Sequence, residues 1–303
     1  DKGELRSAAA LAPHAERLLA LPSAKSKLQG FFRTYLGVKG LVDGKTKDTA
    51  VFPMFTNELK NTLVSDANAA VATIFDGAGT FDALFEDEIT LGAGLTSVYG
   101  TQKRTGLLTH PAIIAALSNE ASTSPVHRGL FYYQTMLCGT LPPPPADAAS
   151  QTQALRDPAN PNATEREQWA YFQKTSPGCA SCHLTFQPFG LGLENYDTIG
   201  RHRTTEHGKT IDPSVQVEDV DAELDGNYRD GVALARAIAG SEVGRACFAL
   251  QVTTFAFGRS VDVDTESCRM KSLAARYRGQ PLDLRGFLTA MAQDESFFYR
   301  SYQ

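Results

Sequence analysis

Cys179-Ala180-Ser181-Cys182-His183 spells C-x-x-C-H, the attachment signature of a c-type haem. In that chemistry two thiols form thioethers with the porphyrin vinyl groups, and the adjacent imidazole ligates the iron. Two other chemistries use the same cysteine spacing, a thioredoxin-like dithiol and half of a zinc site. A thioredoxin site expects a strand before the pair and a long helix after it. Here Ser176-Pro177-Gly178 precedes the pair and Gln187-Pro188-Phe189-Gly190 follows, which reads as a turn, a short helical piece and a turn. Zinc would need two more ligands, and there is no second C-x-x-C. Haem is therefore the expected group, one per chain and covalent.

Outward from the motif the pattern is helical. Ser7 to Leu21, Ser23 to Tyr35 and Asn57 to Phe75 carry apolar residues three and four apart. Phe81 to Phe85 has aromatics four apart, and Gly92, Gly94 and Gly100 interrupt regular structure. Pro111 suits a first helical position before Ala112 to Leu117. Pro125 to Cys138 reads as one helix, ended by the four prolines Pro142 to Pro145. Thr164 and Glu167 form a capping-box pattern at the next helix. After the motif come a polar glycine-rich loop and helices over Gly231–Ile238, Gly244–Phe257, Thr265–Tyr277 and Leu282–Met291. The expected fold is all-α: a helical domain over 1–140, a proline-rich and polar linker over 141–162, and a cytochrome c-like helical domain over 163–303.

The chain has 303 residues, 42% of them hydrophobic, enough for a substantial core. Its net charge of -5 has no basic run to attract nucleic acid, and no apolar stretch approaches a membrane span. Five cysteines need places. Two belong to the motif. Cys247 and Cys268 flank a helical stretch and a polar loop, and they are expected to pair. That bond closes a loop of about 20 residues and is worth about 3 kcal/mol. Cys138 is left as a buried thiol, a partner for another chain, or a neighbour of the haem. Haem attachment and a disulfide both belong outside the cytoplasm, so a periplasmic or cell-surface setting is expected. The start at Asp1 without a signal peptide fits a mature protein or a fragment.

Around the iron, His183 is the expected proximal ligand. The distal candidates are Met270, Met291, Met136, His127 and His110, with Met54 more remote. A methionine would raise the potential and suit electron transfer. A vacant sixth position would instead admit a small oxidant. Arg201 and Arg203 have the charge and planar fork that suit haem propionates. Glu194, Asn195, Tyr196 and Asp197 are expected to support the proximal loop. Phe186, Pro188 and Phe189 are expected to wall the haem edge, and Trp169 packs on it or fills its own helix.

Several blocks follow the motif in fixed order: Pro188-Phe189-Gly190, Leu193-Glu194-Asn195-Tyr196-Asp197 and Gly200-Arg201-His202-Arg203. With Ser124-Pro125-Val126-His127-Arg128-Gly129, Leu137-Cys138, Pro142 to Pro145, Phe257-Gly258-Arg259 and Asp294-Glu295-Ser296-Phe297-Phe298, the chain resembles the haem-bearing, exported cytochrome-like proteins of planctomycetes and myxobacteria, built from adjacent domains of unknown function. The resemblance spans nearly the whole chain and is weakest before Lys60. It implies an exported haem protein, often associated with carbohydrate or the cell surface, and a separate N-terminal chain of the same precursor as a partner. Those proteins often carry Asp just before the proline that follows the motif. This chain has Gln187 there, so a carboxylate role at that position is lost.

The functional expectation is electron transfer by one covalent haem, to or within an exported redox complex with a partner protein. A peroxidase-like or oxygen-activating oxidoreductase with an open distal site is the second reading. A structural subunit of a surface complex is the third.

Overall fold

The structure is a computed structural model and describes residues 7–77, 79–101, 103–145, 156–258, 275 and 280–294. The fold is all-helical. Seven helices precede the middle of the chain: α1 (Ala8–Leu19), α2 (Pro22–Tyr35), α3 (Lys39–Val42), α4 (Asn57–Asp76), α5 (Ala83–Glu86), α6 (Thr96–Tyr99) and α7 (Pro111–Ala116). Then come α8 (Pro125–Leu130), α9 (Glu165–Thr175), α10 (Pro177–His183), α11 (Gln187–Leu191), α12 (Gly231–Gly240), α13 (Glu242–Phe257) and α14 (Leu284–Ala292). Strands occur among the described residues only as three two-stranded antiparallel ribbons: β1 (Glu88–Ile89) with β2 (Arg104–Thr105), β3 (Thr205–Glu206) with β4 (Lys209–Thr210), and β5 (Val215–Val217) with β6 (Gly226–Tyr228).

Local chemistry sets the helix ends. The side chains of Thr56, Asp230, Ser241 and Asp283 each accept a backbone N–H in the first turn of α4, α12, α13 and α14, satisfying donors the helix leaves unpaired. Thr164 and Glu167 form the expected capping box at α9. Along α4, Leu59, Leu63, Ala67, Val71 and Ile74 are buried, one stripe of a 3.6-residue period.

One hydrophobic core draws on both sides of the proline run. Phe31, Phe32 and Tyr35 of α2 surround Phe248 of α13, with ring centroids 5.4–6.4 Å away. Phe81 stacks on Phe248 at 4.1 Å. The Phe81 N–H donates to the carbonyl of Leu282, just ahead of α14. Helices from both ends of the chain thus share one interior. A small second cluster, Trp169, Phe172, Ala180 and Leu191, lies under the C-x-x-C-H segment.

Two expectations are corrected. The helix expected over Pro125 to Cys138 is helical only to Leu130 in the ordinary α form, then widens into a π-helical turn, Phe131–Met136. That wider turn brings Cys138 beside α13 in a left-handed conformation (φ 55°), uncommon for a residue other than glycine. Cys138 is there disulfide-bonded to Cys247. Cys247 therefore does not pair with Cys268, which lies outside the described residues. Distance along the chain misled because the π turn, not the α13 sequence, decides which sulfur faces Cys247. The bond spans 109 residues, a loop for which chain entropy predicts about 4.7 kcal/mol. The helix expected at Thr265–Tyr277 falls largely outside the described residues.

Replacing Cys138 and Cys247 together by alanine is expected to cost about 2–5 kcal/mol, read as a lower midpoint in guanidinium unfolding. A non-reducing peptide map is expected to join the Cys138 and Cys247 peptides, and a Cys247–Cys268 peptide would refute the pairing.

Candidate functional site

Pro177 starts α10 at a position where its missing N–H costs nothing. The helix places Cys179 and Cys182 three residues apart on one exposed face, as free thiols. Leu184, next along, is 52% exposed, so an apolar side chain borders them. Helix α9 leads into α10, where a thioredoxin-like site would place a strand. Among the described residues no three His, Cys, Asp or Glu side chains gather as a metal-binding group.

His183 ends α10 half-buried, and its ring is boxed in by aromatics. Trp169 stacks on it at 6.5 Å, Phe172 meets it edge-on at 5.2 Å, and Phe186 lies tilted at 5.0 Å. Its Nδ1 is 2.8 Å from Oε1 of Gln187. The segment Gln187-Pro188-Phe189-Gly190, expected as a turn, forms the short helix α11, with Gln187 as its first residue. An amide oxygen only accepts, so the Nδ1–H donates and Nε2 keeps its lone pair. That is the form of imidazole that ligates a metal.

α11 is held by a close crossing with α8. A Cβ on Gly190 would lie 1.9 Å from the Pro125 carbonyl oxygen, and one on Gly129 would lie 2.1 Å from the Phe186 carbonyl oxygen. The two backbones are in direct contact. The crossing fixes the Phe186–Gln187 peptide, and so the base of the His183 hydrogen bond.

Behind the crossing lies a buried ionic network that the sequence reading missed. Arg128 is fully buried. Its guanidinium donates to the carbonyls of Leu193, Tyr196 and Asp197, to the Ser118 hydroxyl, and to Glu194 Oε1 at 2.8 Å. Glu194 Oε2 also accepts from Thr123 Oγ1 at 2.7 Å and from Arg203 at 2.8 Å. Arg203 reaches Glu206 at 3.1 Å, and Glu206 accepts the backbone N–H of Glu165 at the start of α9. Burial pushes Glu194 up, to about 7, against the pull of Arg128 and Arg203. Lys47 is buried alongside and donates to the carbonyls of Ser118 and Asn119. Burial, with Lys45 and Arg128 nearby, pushes it down to about 7.

Between α9, α10 and the loop before α8 lies a cleft of about 220 Å³. His183, Gln187, Trp169 and Phe172 line one part, and Asn119, Thr123, Ser124 and Arg156 line another. None of the described distal candidates lines it. Met136 and Met291 are buried in the main core, where Thr253 Oγ1 lies 3.8 Å from the Met291 sulfur. His110 is fully buried with both nitrogens engaged: Nδ1 accepts from the Ala112 N–H and Nε2 meets Asp66 Oδ2 at 3.0 Å. His127 pairs Nδ1 with Ser124 Oγ at 3.0 Å, and burial with Lys45 and Lys47 pushes it down. Met54 is exposed. Met270 lies outside the described residues.

Arg201 is paired with Asp197 at 2.7 Å, and Arg203 is committed to the network. Asn195 donates to the Arg203 carbonyl, and Glu194 and Asp197 accept from the side chains of Arg203 and Arg201. His202 and His207 are exposed. Of the expected aromatic wall, Phe186 faces His183, whereas Phe189 packs on Tyr132 in the main core.

Residues 1–101 match the model of PSD4, described as a protein of unknown function (DUF1592), and residues 104–206 match that of PSCyt3, described likewise (DUF1588). Each covers about a third of the chain, and the second holds Arg128, the C-x-x-C-H helix, Gln187 and Glu194 together. No curated protein and no solved structure matches.

Arg128→Leu leaves Glu194 buried with one cation fewer and is expected to cost about 3–5 kcal/mol in denaturant unfolding. Gly190→Ala forces the α8 and α11 backbones apart and is expected to cost at least about 2 kcal/mol. Lys47 is neutral in the folded protein above about 7 but stays charged to 10.5 when unfolded. The unfolded chain therefore binds more protons in that window, and stability is expected to rise as pH goes from 7 toward 10.5. Lys47→Met is expected to flatten that rise in unfolding midpoints measured across the window.

Proposed function

We propose that this chain is a c-type cytochrome: one haem held by thioethers to Cys179 and Cys182, with His183 as an axial ligand, passing electrons to a partner protein in an exported redox complex. The observation that carries the reading is the state of His183. Its Nδ1–H is engaged by Gln187, which leaves Nε2 as the free donor, on the same short helix as two exposed free thiols. Metal-binding histidines have their second nitrogen held in this way. The residues fit the group in other respects: an apolar border at Leu184 and aromatic rings around the imidazole. Bound there, haem supplies a one-electron iron couple. The chain's own part is to tether, orient and partly shield it.

The Cys138–Cys247 disulfide supports an oxidising compartment, and no described helix is long and apolar enough to cross a membrane. A periplasmic or cell-surface place, a redox partner, and kinship with the exported cytochrome-like proteins of planctomycetes and myxobacteria belong to the same reading.

One observation favours an oxidoreductase with an open distal site as the second reading. The cleft at His183 is walled by Asn119, Thr123, Ser124 and Arg156, and the described methionines and other histidines lie elsewhere. Polar groups near an open iron position would serve proton transfer to a bound oxidant.

Cys179→Ala/Cys182→Ala, exported with haem maturation, is expected to lose all porphyrin on denaturation, whereas the parent chain keeps one porphyrin by mass. A parent chain of unmodified mass would overturn the reading. Ferric spectra with and without cyanide separate the two functions. An unchanged low-spin spectrum is expected for electron transfer, and a high-spin spectrum shifted by cyanide marks an open site.

A further inference from the structure

We propose that Gln187 is the positioning residue of the iron ligand, and that its neutrality sets the potential of the site. The inference rests on the haem reading above. Gln187 is buried at the first position of α11, and its Oε1 lies 2.8 Å from His183 Nδ1. Its backbone cannot drift. A Cβ added to Gly129 would come within 3.2 Å of the Gln187 Cα and 2.1 Å of the preceding carbonyl oxygen, so α8 presses directly on this peptide. The acceptor is thus fixed by helix packing rather than by a mobile loop.

Two consequences separate this side chain from a packing residue. An acceptor at Nδ1 selects the tautomer whose Nε2 is free to bind metal. The opposite arrangement, with the amide NH2 donating to Nδ1, would leave Nε2 protonated and unable to ligate. The acceptor is also uncharged. A carboxylate there would draw the Nδ1 proton more strongly, because hydrogen bonds to ions are about twice as strong as neutral ones. The imidazole would become a better electron donor, favouring the oxidised metal. Gln187 therefore orients the ring while holding the potential above the value a carboxylate would impose.

The test compares the full chain with Gln187→Glu, which keeps the shape and adds charge, and Gln187→Leu, which removes the acceptor. Mass after denaturation is read first, then the midpoint potential. All three are expected to retain covalent porphyrin. The potential is expected to fall in Gln187→Glu and to rise in Gln187→Leu. Three coincident potentials overturn the proposal. The second measurement needs no haem. Nitrogen NMR of the unmodified chain is expected to show His183 as the Nδ1–H tautomer, and Gln187→Leu is expected to lose that preference. An Nε2–H tautomer in the parent chain overturns the proposal even if haem is attached. A parent chain without porphyrin overturns the haem reading and the potential effect with it, while the tautomer still decides whether Gln187 orients the ring.

Discussion

Arg128 carries a charge in a place without water, and the molecule is arranged around satisfying it. A buried guanidinium is tolerated only when its donors are met. Here both terminal nitrogens are met, by carbonyls from Leu193, Tyr196 and Asp197, by the Ser118 hydroxyl and by Glu194, while the Nε–H is buried without a partner among the described residues. All but Ser118 come from the stretch just after α11. The segment downstream of the cysteine motif is thus pinned to α8, which lies about 50 residues upstream of the motif. Through Arg203 and Glu206 the same network reaches the first turn of α9. The helix that carries Trp169 and Phe172 and the loop that follows α11 are therefore tied to one buried cation.

The crossing of α8 and α11 adds a constraint of a different kind. Gly129 and Gly190 let two backbones touch, and neither position has room for a methyl group. The C-terminal continuation of α8 then opens into a π turn, which Tyr132 anchors by donating its hydroxyl to the Gly231 carbonyl at 2.7 Å. Two residues past the π turn, Cys138 is bonded to Cys247 of α13. One helix therefore reaches the candidate site at its start, the buried network in its middle and the disulfide past its end. Packing in the main core and geometry at His183 are consequently coupled through α8.

Much of this was legible in the sequence, and the failures have physical causes. Helices with side-chain caps, such as α4, α9, α12 and α13, announce themselves because capping and amphipathic period are local properties. The C-x-x-C-H motif is local too. What escaped was long-range. The Cys138–Cys247 pairing depends on a π turn, which has no sequence period of its own. Arg128 reads as one charge in a polar run, and its burial follows from a glutamate 66 residues away. Gln187 stood out only as a departure from a related pattern. Its spacing of four from His183 was the available signal, but the two residues sit on separate short helices, so no helical face predicted their contact.

The position of the His183 imidazole is set by several elements at once. Every element that touches the His183 imidazole is restrained: α9 by its capping box and the Glu206 contact, α10 by its own prolyl start, and α11 by bare backbone contact with α8. Three aromatic rings confine the ring plane, and one amide fixes its tautomer. The imidazole side is therefore stiff by construction. The cleft beside it is lined by Trp169 and Phe172 as well as by Asn119, Thr123 and Ser124, and there the half-exposed Arg156 pairs with the mostly buried Glu165. Packing around the ring, with the Gln187 hydrogen bond, therefore sets where the His183 nitrogens point.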